Sequence, residues 1–174
     1  MNVEVCGDSN LEPDETFFVT LSGNSANSVL LANTKGTGTI TPPTPTLWTE
    51  VAGPSCPSGT CLAAVDSVTF VRGPFRVTNP NNFSTDQTTR IILFTSNLGM
   101  TDANLASGIL SVHINGSAIP PANIEHVGTV AGISGMDASY VIVKLPDGLL
   151  TGSNNITVNM GAAASNVAIL SIVP

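Results

Sequence analysis

The chain has 174 residues, of which 42% are hydrophobic and only 10% are charged, well below the quarter typical of globular domains. Twelve acidic residues against five basic ones leave a net charge of −7 and a pI near 4.4, a surface that repels phosphate backbones, argues against nucleic acid as a partner and tolerates Ca²⁺. No stretch reaches the roughly 18 apolar residues of a membrane helix, and few charges with many Ser, Thr, Asn, Gly, Val and Ile suit an extracellular β-protein of one or two domains.

Read from its start, MNVEVCGDSN lacks the basic region and apolar core of a signal peptide. GDSNLEPDETFFVTL, residues 7–21, then sets Asp8, Glu12, Asp14 and Glu15 ahead of an alternating run, where they either hold a cation or mark a solvated turn, and KGTGTI follows at 35–40. TPPTPT at 41–46 holds three prolines in six residues. That is too many for a central strand, so 42–64 reads as a semi-stiff linker. Five acids and Lys35 before it give −4, whereas seven acids and four bases after it give −3. Within SCPSGTC the spacer of Pro, Ser, Gly and Thr turns sharply enough to bring Cys56 and Cys61 into bonding range. The expectation there is a disulfide, the alternative two unpaired thiols, and Cys6 is left over as a small buried hydrophobe. Period two then recurs at 109–114, 140–145, 156–160 and 167–173, with turn signals NPNN, NG, PP, PDG and GSNN between. MTDANLASG at 100–108 makes either one helical turn starting near Asp102 or a loop. Strands about every ten residues with such turns predict an all-β sandwich or barrel.

Two resemblances refine this expectation. GDSNLEPDETFFVTL with KGTGTI resembles the closing strands of a Calx-beta domain, covering about forty residues. The resemblance implies that residues 1–41 are a partial Calx-beta segment whose parent protein began earlier. It further implies that Asp8, Glu12 and Glu15 occupy acidic positions that bind Ca²⁺ in calcium-binding members. Three carboxylates supply part of the six to eight oxygens Ca²⁺ takes, so a protein or matrix partner, or another copy of the chain, would complete the shell. DSVTFVRGPFRV, NFSTDQTTRIILFTSNLG, VIVKLPDGLLTGSNNITVNMG and SNVAILSIV resemble an immunoglobulin-like β-sandwich found at the ends of large bacterial surface proteins. That resemblance spans 65–174 and implies a stalk, adhesion or matrix role with no catalytic residues.

His113 shares a polar face with Ser111, His126 follows Glu125, and if their strands pair the two histidines become neighbours. With Asp102 or Asp137 they would then form a small metal or general-base site. Ser134 in GISGMD, near Asp137, lacks the strand-to-helix elbow of a serine hydrolase. Trp48 and Phe75 are expected to cap the ends of the sandwich. The sequence therefore predicts a non-catalytic structural or adhesion module of a secreted or surface bacterial protein, with Ca²⁺ the expected ion. One alternative is a small Ca²⁺-dependent hydrolase of an ester or lactone such as an N-acyl-homoserine lactone. Another is a carbohydrate-binding module, which wants an exposed aromatic platform; aromatic residues at 5% argue against one.

Overall fold

Alternation of apolar and polar side chains decides where this chain pairs. In the computed structural model, which describes residues 15–20, 35–41, 43–52, 56, 59–131 and 138–174, every regular element except two short helical turns is a strand. The chain divides into two units, Met1–Pro42 and Pro43–Pro174.

In the first unit β1 (Glu15–Thr20) pairs antiparallel with β2 (Lys35–Ile40), setting Glu15 opposite Ile40 and Phe17 opposite Gly38. The Phe17 ring lies over Gly38, where a Cβ would meet it at 2.3 Å. Gly38 of KGTGTI thus has a packing reason: an aromatic side chain covers the bare backbone across the ladder. Lys35 Nζ stands 3.4 Å from the centre of the Phe18 ring, a cation–π contact.

The second unit carries two five-stranded antiparallel sheets. The strands, in chain order, are β3 (Thr46–Leu47), β4 (Ala64–Asp66), β5 (Arg90–Ser96), β6 (Leu110–Ile114), β7 (Ser117–Ala118), β8 (Ile124–Thr129), β9 (Ala138–Lys144), β10 (Gly152–Met160), β11 (Ala163–Ala164) and β12 (Ala168–Ile172). One sheet centres on β5 and β9, with β3 and β4 along one side and β8 at the far edge. The other centres on β10, flanked by β6 and β7 on one side and by β11 and β12 on the other. A helical turn, α1 (Asp102–Leu105), lies between β5 and β6. The NG signal is the turn from β6 to β7, with Asn115 and Gly116 both at positive φ, the conformation that a two-residue hairpin demands.

Each sheet buries one face. Ile91 and Leu93 stand opposite Val143 and Val141, while Val112 and Ile114 stand opposite Val158 and Ile156. All eight are buried. Two one-sided sheets in one unit give the layering of a β-sandwich.

The stretch 42–64 is not a plain linker, because β3 pairs Thr46 with Ser96 and Leu47 with Thr95. The prolines stand ahead of the first paired residue, so their missing N–H groups cost no ladder bond, and buried Leu47 pins the strand. Residues 60–63 then tie the two sheets together. Leu62 N–H donates to Ile169 O and Ile169 N–H to Thr60 O on one side. On the other side, Glu50 N–H donates to Cys61 O and Ala63 N–H to Trp48 O. Cys56 and Cys61 are joined by a disulfide within this crossing.

Candidate functional site, an aromatic face on the β5 sheet

In an antiparallel sandwich the outward positions of a strand are ordinarily polar. The β5 sheet departs from this. Its outward rows run Val65, Ile92, Ile142 and His126, then Phe94, Tyr140 and Gly128, and all but exposed His126 are half-buried. Trp48, just past β3, extends the second row. Its N–H donates to Phe94 O at 2.9 Å, and its ring centre lies 6.1 Å from that of Phe94 with a 32° tilt. The indole Nε1–H donates to Ser96 Oγ at 2.6 Å, which fixes the ring plane and occupies its only donor. Asn166 steadies the same corner, since its Oδ1 accepts from Leu47 N–H at 2.8 Å and its Nδ2 donates to Leu47 O at 3.1 Å. Tyr140 lies across Gly128, where a Cβ would come within 2.9 Å of the phenol oxygen. The chain's only tryptophan and only tyrosine therefore share one outward face.

A cleft of about 520 Å³ opens beside these rings, lined by Trp48, Phe94, Val65, Val130, Glu50 and Arg72, within the range of small-ligand sites. The Glu50 carboxylate approaches Arg72 Nη1 only to 3.8 Å, too far for a hydrogen bond. The Glu50 side chain is 17% exposed and that of Arg72 is 76% exposed. One acceptor and one donor group thus flank the aromatic floor.

Further along the same face, Arg90 and Lys144 pair across β5 and β9. Arg90 Nε donates to both Glu125 oxygens at 3.1 Å, and its Nη1 donates to Asp86 Oδ1 at 2.7 Å, to Thr88 O at 2.7 Å and to Ser84 Oγ at 2.9 Å. Lys144 Nζ reaches Asp86 Oδ2 at 3.0 Å. The Arg90 guanidinium, then the Ser84 hydroxyl, Lys144 and the Thr88 N–H hold the Asp86 carboxyl far below the usual carboxylate range. The two carboxylates in turn push Arg90 further toward its charged form, Asp86 contributing most.

Of the residues singled out in the sequence, Trp48 lines this cleft and His126 stands on the outer strand of the same sheet. Asp8, Glu12, Asp14, Cys6, Ser134 and Asp137 lie outside the described residues. Glu15 opens β1 and is exposed. Among the described residues no three His, Cys, Asp or Glu side chains converge as a metal would need. The two histidines are not strand neighbours: His113 is on β6 of the β10 sheet, and His126 is on β8 of the β5 sheet. His113 Nε2 lies 3.2 Å from Ser111 Oγ. His126 Nδ1 lies 3.0 Å from Asp102 Oδ2, while Asp102 Oδ1 accepts from Val127 N–H at 2.7 Å. The Val127 N–H, then His126, lower the Asp102 pKa. A carboxylate-oriented imidazole suits general-base work, yet both side chains are more than half exposed and lie away from the aromatic cleft. Phe75 is buried beside Ile172. Trp48, expected to cap an end of the sandwich, instead lies on the face, because β3 pairs with β5 and carries it there.

A low aromatic content does not disclose this face, which depends on where the few rings go and not on how many there are. The signal was present in RIILFTS and SYVIV, where both phases of the alternation are apolar, as in strands that cover something on each side. In comparisons with known proteins, no family model, no curated protein and no solved structure matches the chain.

Proposed function

We propose that this chain is a non-catalytic β-sandwich adhesion module of a secreted or surface-attached bacterial protein, and that it engages its target through the outer face of the β5 sheet. The observation that carries this reading is the gathering of Trp48, Phe94 and Tyr140 on an outward sheet face beside a cleft flanked by Glu50 and Arg72. An apolar centre within a polar rim is the anatomy of a recognition surface. The Cys56–Cys61 disulfide fits an oxidising, extracellular setting. On this reading the second unit is immunoglobulin-like, and the β1–β2 hairpin is the closing pair of a Calx-beta-like sandwich whose acidic residues Asp8, Glu12 and Glu15 are the place for Ca²⁺.

Retention of the labelled chain on insoluble biofilm matrix tests this, with wild type compared against Trp48→Leu and Phe94→Leu. Wild type is expected to be retained and each variant to lose roughly tenfold in apparent affinity, the equivalent of about 1.4 kcal/mol. Equal retention of folded variants and wild type overturns it.

A further inference from the structure

We infer that the Trp48–Phe94 cleft takes a neutral glycan, with a pyranose ring stacked on the aromatic floor and its hydroxyls shared between Glu50 and Arg72. This rests on the adhesion reading and names the ligand of the same face. Three observations carry it. First, both rings line the cleft. The indole donor is spent on Ser96, and the Trp48 and Phe94 rings lie 6.1 Å apart with a 32° tilt. Aromatic faces bear negative charge and attract the polarised C–H groups of a sugar's apolar side.

Second, the cleft offers one anionic acceptor group and one cationic donor group that form an ion pair at 3.8 Å without a hydrogen bond between them. Adjacent sugar hydroxyls both donate and accept, so one neutral ring pairs with the carboxylate and the guanidinium together. A cationic ligand would use Glu50 and oppose Arg72. A polyanionic glycan would use Arg72 against a chain whose net charge is −7. Third, an extended peptide would seek a free strand edge, and at the far edge of this sheet Asp102 already occupies the Val127 N–H.

The test follows Trp48, the single tryptophan, by its fluorescence, and follows every variant by calorimetry as well. The full chain is titrated with neutral hexasaccharides of β-1,4-linked glucose, xylose and N-acetylglucosamine and of α-linked mannose, beside alginate and an extended peptide library. At least one neutral hexasaccharide is expected to shift the emission saturably, with Kd on the order of 0.1 mM. Glu50→Gln and Phe94→Leu should each weaken it about tenfold, while Trp48→Phe, which keeps a π face, should stay within about threefold. Leucine retains bulk, and far-UV circular dichroism with thermal melting verifies that each variant is folded. Absence of binding by every neutral glycan, equal binding by Phe94→Leu, or binding of alginate or peptide alone overturns the inference. Matrix retention separates the two readings. If retention needs Trp48 but free neutral glycan does not compete, the glycan falls and adhesion stands; if there is no retention, both fall.

Discussion

Arg90 shows how one side chain organises a surface that is otherwise poor in charge. Its side chain is only 16% exposed, and its guanidinium bonds to Asp86, Glu125, Ser84 and Thr88 O at once, a set that requires the planar fork of arginine rather than a lysine point charge. The consequence is a pH dependence that sits on Asp86. Its folded pKa is depressed by Arg90 first, then by Ser84, Lys144 and Thr88, so the folded state favours the carboxylate. The stabilisation is fully present above the pKa of an unfolded aspartate, about 3.9. It is lost as pH falls below that value toward the much lower folded one. Asp86→Asn is therefore expected to melt lower than wild type at pH 7, with the difference shrinking steadily between roughly pH 4 and pH 2. Thermal melts across that range are the measurement, and a difference that does not change with pH removes Asp86 from the acid response. Nothing in NFSTDQTTR disclosed this hub. Asp86 and Arg90 are four residues apart in a segment that is not helical, and Lys144 and Glu125 arrive only because β9 pairs with β5 and β8 with β9.

At the scale of elements, the outer edge of the β5 sheet is β8, and an open edge exposes unpaired backbone groups to other strands. The helical turn α1 supplies the cover. Thr101 N–H donates to Asn104 Oδ1 at 2.9 Å, which fixes the turn and aims Asp102 at the strand, where one carboxylate oxygen takes the Val127 N–H and the other takes His126. Asp102→Ala is expected to speed hydrogen exchange of the Val127 amide about tenfold through the loss of one charge-assisted bond. The amides of Val141 and Val143 on central β9 should hold their protection, and unchanged exchange at Val127 would show that the carboxylate does not guard the edge. The strands themselves were legible wherever one face is wet. Residues 109–114, 156–160 and 167–173 alternate in the sequence and are β6, most of β10 and β12 in the structure. Less legible were β3 and β4, two and three residues long, too short to show a period. β3 lay hidden behind prolines that actually stop just short of the ladder. The NG turn was readable because positive φ at two successive residues leaves few other choices.

Across the whole molecule, the β1–β2 pair and the double-sheet unit of 43–174 each have their own pairing. Within the larger unit the sheets are held together by more than apolar contact. The backbone of 60–63 bonds to β12 on one side and to the Trp48–Glu50 segment on the other, and the Cys56–Cys61 bond closes the loop that feeds this crossing. Composition announced an all-β chain and Cys spacing announced the loop, but neither disclosed that the loop joins two sheets, because that depends on contacts more than a hundred residues apart. The disulfide's effect follows from loop length. Its cysteines are five positions apart, so the chain-entropy model gives a modest stabilisation of about 2 kcal/mol, roughly 6–10 °C in Tm for a domain of this size. The Cys56→Ser/Cys61→Ser double variant is expected to lose that much. It should also shift Trp48 emission before global unfolding, because Glu50 N–H donates to Cys61 O and Trp48 O accepts from Ala63. The aromatic cleft is thus built partly on the disulfide loop, and glycan affinity should fall with the emission shift. A variant with lower Tm but unchanged emission and unchanged titration would show that the loop steadies the sandwich without shaping the cleft.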